Sequence, residues 1–128
     1  MLSQKEVELN KDCDDMLQVV YDYFKFAGES KASEYTNELM NKMTDAVKAT
    51  IRFNNKLTKA INDKTFVLDP QACSMLNTFY SFYEQMPKTE EEVSAAGGRA
   101  LMEVYTSMLQ NMTPIAIMIS TELSAKQQ

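Results

Sequence analysis

From Leu39 onward the chain repeats an apolar or small residue in strict alternating steps of four and three: Leu39, Met43, Ala46, Thr50, Phe53, Leu57 and Ala60. Met40, Val47, Ile51 and Ile61 widen the stripe. An α-helix, with 3.6 residues per turn, puts residues at that spacing on one face. The seven-residue recurrence asks for near-parallel or antiparallel helical neighbours, the geometry of a bundle. With Ser30 available as a cap, the pattern predicts one long central helix over about residues 31–62. Such a helix would be roughly 48 Å long at 1.5 Å per residue.

The flanking segments carry helix signals of their own. Ser3-Gln4-Lys5-Glu6 reads as a capping box, in which hydroxyl and carboxylate satisfy each other's backbone amides. Leu9, Cys13, Met16, Leu17, Val20, Phe24 and Ala27 follow at helical spacing, and Gly28 sits where a glycine ends many helices. The first helix is therefore expected over about 4–27. Residues 63–69 break the helical pattern and predict an ordered loop pinned by Phe66, Val67 and Leu68. Asp69-Pro70 is a helix start, with aspartate as N-cap and proline at the first helical position. That helix should run to about Met86, ahead of Pro87.

Thr89 followed by Glu90, Glu91 and Glu92 is a second capping box, with three acids at the positive end of the helix dipole. The helix it opens carries Val93, Ala96, Leu101, Val104, Tyr105, Met108, Leu109 and Met112. Gly97-Gly98 inside it costs about 1 kcal/mol per glycine relative to alanine, or else delays the helix start to near Arg99. Thr113-Pro114 predicts a restart or a kink. A short fifth helix over 114–124 would then be apolar all round at Ile115–Ile119. The fold expected is one all-α domain over residues 1–128, a bundle of four to five helices.

Composition removes most chemistries. The chain has no histidine, so it lacks the side chain that most often moves protons near neutral pH and the commonest transition-metal ligand. Cys13 and Cys73 form no CxxC pair, and the three glycines make no phosphate-cradling loop. No cofactor, metal or catalytic residue is expected, and the chain reads as a non-enzyme. The longest apolar run, Ile115–Ile119, is five residues, far short of the roughly 20 that a membrane span needs. The N-terminus lacks the apolar segment of a secretory signal. The reading is a cytoplasmic protein with two reduced, buried and inert thiols.

Three features bear on binding. Residues 30–64 carry four acids and seven bases inside a chain of net charge −5. Lys48, Arg52, Lys56 and Lys59 fall within roughly 80° of one another on the long helix, opposite the apolar stripe. They form a stripe for an anionic partner, or a solvated face meeting the acids Glu8, Asp12, Asp15 and Asp22 of the first helix. Nucleic acid is not expected, because the domain is acidic and four bases offer few phosphate contacts. Eight of the twelve aromatics cluster in two segments: Tyr21, Tyr23, Phe24 and Phe26, then Phe79, Tyr80, Phe82 and Tyr83. Consecutive aromatics cannot all enter one core from one helix.

The third feature is the C-terminal apolar segment, which offers no solvent face and so is expected to be either a central helix or a dimer interface. Together with ten methionines, side chains that adapt to irregular partners, these features predict a small protein-binding module: an adaptor, inhibitor or chaperone-like protein. The expected interface is Phe79, Phe82, Tyr83, Ile115, Ile117, Met118 and Ile119. A second copy of the chain, as a homodimer, is one expected occupant. The rival reading is a carrier or coat protein that holds lipid or another apolar ligand in a helical groove.

Overall fold

A computed structural model describes residues 3–29, 37–64, 66–85, 87–96 and 102–126. Among them are five helices and no strand, and 89% are helical. The helices are α1 (Gln4–Glu29), α2 (Asn37–Asn62), α3 (Pro70–Tyr83), α4 (Glu90–Ala96) and α5 (Met102–Lys126).

The caps form as the local sequence dictates. Ser3 Oγ accepts from the Glu6 amide, while the Ser3 amide donates to Glu6 Oε1, each at 3.2 Å. Asp69 Oδ1 accepts from the Gln71 amide at 2.8 Å, with Pro70 opening α3. Thr89 Oγ1 accepts from the Glu92 amide at 3.1 Å, and Glu92 Oε2 reaches back to the Lys88 amide at 3.2 Å.

Three boundaries depart from the sequence expectations. α1 runs through Gly28 to Glu29, because glycine permits a left-handed cap without requiring one and here stays in the helix. The first residues of the long central helix, 31–36, lie outside the described residues, as do Ser30 and Gly97-Gly98. α3 stops at Tyr83, where the Glu84 amide turns back to the Tyr80 carbonyl at 3.0 Å. Pro87 disfavours helical backbone just before it. The separate fifth helix does not exist: α5 is continuous through Pro114.

Packing explains that continuity. A proline inside a helix costs about 3 kcal/mol through a lost hydrogen bond and a ring clash. Gln110, four residues earlier, and Pro114 are both exposed, so water can reach the freed carbonyl. On the opposite side, Met112, Ile115, Ala116 and Ile119 are buried and hold both halves of the helix to the core. Over the described residues α1, α2 and α5 span 26, 26 and 25 residues.

The helices run in four columns. Lys5 pairs with Asp63 at 3.0 Å and Glu8 with Lys56 at 3.6 Å, so α1 and α2 are antiparallel. Cys13 meets Ala116, Asp14 meets Ser120 and Tyr23 meets Thr106, so α5 lies antiparallel on the other side of α1. α3 and α4 make one broken column. Tyr80 of α3 bonds Asn54 of α2, and further along α2 Arg52 pairs with Glu90 of α4. All seven members of the four-three stripe, Leu39 to Ala60, are buried within this one chain. The described part of α2 therefore leaves no apolar overhang for a second copy to cover.

Candidate partner-binding surface

The turn after α2 decides what the loop presents. Lys64 adopts φ 60°, a left-handed conformation uncommon for a residue with a side chain. Its amide bonds the Ile61 carbonyl at 3.1 Å, and the Phe66 amide reaches the Ala60 carbonyl at 3.3 Å. The reversal buries Phe66 in the core, half-buries Leu68 and leaves Val67 80% exposed between them.

Grooves open on both sides of Leu68. One, of ≈ 400 Å³, lies between the start of α3 and the last turns of α5, lined by Leu68, Asp69, Ala72, Ile117, Met118 and Glu122 among others. The other, of ≈ 490 Å³, lies between the end of α2 and α3, lined by Phe66, Val67, Leu68, Cys73 and Leu76 among others. Ile117 is 52% exposed beside the first groove.

The expected interface residues are thereby divided. Phe79 and Ile115 are fully buried core, and Ile119, 1% exposed, is core that also floors the α5 groove. Ile117 and Met118 reach the surface, Met118 half-buried. The segment is not apolar-buried all round: Pro114, Ile117 and Thr121 form a solvent face, because α1, α2 and α3 cover only the other sides of α5. Phe82 and Tyr83 are half-buried. Tyr83 packs against Phe79 with ring centroids 5.3 Å apart and lies under the Lys88 ammonium, 4.2 Å from its ring centre. Burial raises the Tyr83 hydroxyl pKa above its ordinary value and lowers that of Lys88. Val67 and Leu68 were legible only as loop-pinning residues. A three-residue apolar run ahead of a helix cap was their signal, and the Lys64 turn sets which of them faces out.

The basic stripe is interleaved with acids. Arg52 pairs with Glu90, Lys56 with Glu8, and Lys48 shares a groove with Asp22 and Asp45. Lys59 lies in a groove with Glu8 and Asp63. Lys48, Arg52, Lys56 and Lys59 thus make a mixed-charge face rather than an isolated cationic strip.

The thiols differ. Cys13 is buried, and burial, with the Asp14 carboxylate beside it, pushes its pKa up to about 12. It is a poor nucleophile, since the thiolate is the reactive form. Cys73, expected to be buried, is exposed in the first turn of α3, because Ala72 and Leu76 take the core-facing positions there. Among the described residues no cluster of three metal-ligating side chains occurs, and no helix is long and apolar enough to cross a membrane. No family model matches the chain, nor does any curated protein or solved structure.

Proposed function

We propose that this chain is a small, non-enzymatic protein-binding module of the cytoplasm, acting as an adaptor, inhibitor or chaperone-like protein. The observation that carries this reading is the surface around Leu68, where Val67 and Ile117 expose large apolar side chains beside adjoining grooves. Apolar grooves with a half-buried methionine, Met118, at their edge suit a protein interface. The lack of histidine and the suppressed Cys13 thiol fit a role without catalysis. Two thiols, one buried and one exposed, fit a reducing compartment.

A photo-crosslinking amino acid placed at Ile117 in the native host tests the proposal. Cross-links to one or a few defined proteins are expected, and they should be absent when the probe sits at Lys11 on α1. Cross-links confined to lipid would favour the apolar-ligand carrier instead. A homodimer would occupy the same surface, and sedimentation at micromolar concentration separates it from a monomer awaiting another partner.

A further inference from the structure

We infer that the surface around Leu68 receives an amphipathic peptide helix from another protein, one with a lysine or arginine beside its apolar face. The inference rests on the protein-binding reading and names the partner's chemistry. Leu68 borders both grooves, so a partner lying across it sets apolar side chains on either side. Residues three or four apart on one helix face supply such a pair of anchors. Met118, unbranched and half-buried in the α5 groove, adapts its shape to them.

Charge selects among occupants. The charged residues lining the α5 groove are Asp69 and Glu122, both acidic, whereas Lys64 lines the other groove, so the partner's basic side chain belongs on the α5 side. Asp69 Oδ1 is engaged by the Gln71 amide at the start of α3. Among the described residues Glu122 has no ion-pair partner. A carboxylate at the rim of an apolar groove attracts a cationic side chain and repels phosphate or carboxylate headgroups. The net charge of −5 extends that repulsion to an anionic membrane. Both grooves open to solvent, so a bound helix keeps its polar face in water, whereas an acyl chain would remain partly wet.

The test is selection of phage-displayed random helical peptides on the full chain, followed by synthesis of the best peptide and fluorescence-anisotropy titration. Amphipathic sequences with lysine or arginine are expected. Val67→Glu and Ile117→Glu, both at exposed positions and checked for folding by circular dichroism, should each weaken binding by about tenfold or more. Glu122→Lys should weaken the basic peptide roughly threefold to tenfold, and selection against that variant should return acidic peptides. Selected peptides without basic residues, or an unchanged preference in Glu122→Lys, overturn the inference. So does failure to enrich any peptide, or co-sedimentation of the chain with phosphatidylglycerol vesicles. Peptide binding that ignores both Val67→Glu and Ile117→Glu overturns this site while leaving the protein-binding reading standing. Host cross-links from position 117 to lipid alone overturn both.

Discussion

The Cys13 thiol of α1 donates a hydrogen bond to the Ala116 carbonyl of α5, 3.1 Å away and wholly inside the core. It lies two residues beyond Pro114, where α5 has one backbone hydrogen bond fewer than a regular helix. The contact ties the proline-containing helix to its antiparallel neighbour, while burial and the Asp14 carboxylate keep the thiol protonated.

Burial of Cys13 has a pH signature. Its folded pKa, about 12, stands above the ordinary thiol value of 9.0, so folding favours the protonated form. The resulting stability is fully present below about pH 9 and is lost as pH rises toward 12. Denaturation midpoints at pH 8 and pH 10.5 should therefore fall further in the unmodified chain than in Cys13→Ala, which removes this group but not the tyrosines and lysines. In the native protein at pH 8 a thiol reagent should label Cys73 alone, with Cys13 following only in denaturant.

Adjacent residues on α2 should behave oppositely. Leu57 is fully buried, whereas Lys56 is exposed and pairs with Glu8 at 3.6 Å. Leu57→Ala should cost about 2–5 kcal/mol, and Lys56→Ala no more than about 0.5 kcal/mol. Urea denaturation of the two variants measures both.

Two isoleucines on α5 make a second contrast. Ile119 is 1% exposed and Ile117 is 52% exposed. Ile119→Ala should destabilise by about 2–5 kcal/mol. Ile117→Glu should change stability by no more than about 0.5 kcal/mol. A destabilised Ile117→Glu in a chain that sediments as a monomer would mean that α5 is rotated from the orientation described.

Tyr105 is fully buried, and its hydroxyl has no hydrogen-bond partner among the described residues. Burial raises its pKa above the ordinary value. Tyr105→Phe removes a polar atom that folding strips of water without replacement, so it should be neutral or stabilising by about 1 kcal/mol. A thermal melt checks the sign, and a loss of more than about 1 kcal/mol would reveal an interaction of that hydroxyl.

The sequence by itself determined where α1, α3 and α4 begin and which face of α2 turns inward. Ser3, Asp69 and Thr89 cap because their side chains bond amides two or three residues away. The stripe from Leu39 to Ala60 is buried because helical periodicity leaves it one face. Both effects act within a turn or two of chain, so they can be read without knowing the neighbours. Pro114, Ile117 and Cys73 depended on the neighbours. Burial of Met112, Ile115, Ala116 and Ile119 by other helices offsets the local cost of proline and carries α5 past it. That orientation turns Ile117 outward, although five apolar residues in a row give no hint of which side meets water. The left-handed turn at Lys64 likewise buries Phe66 and exposes Val67. The candidate surface is assembled from the 66–68 loop, the start of α3 and the end of α5, about fifty residues apart in sequence, and only their packing brings them together.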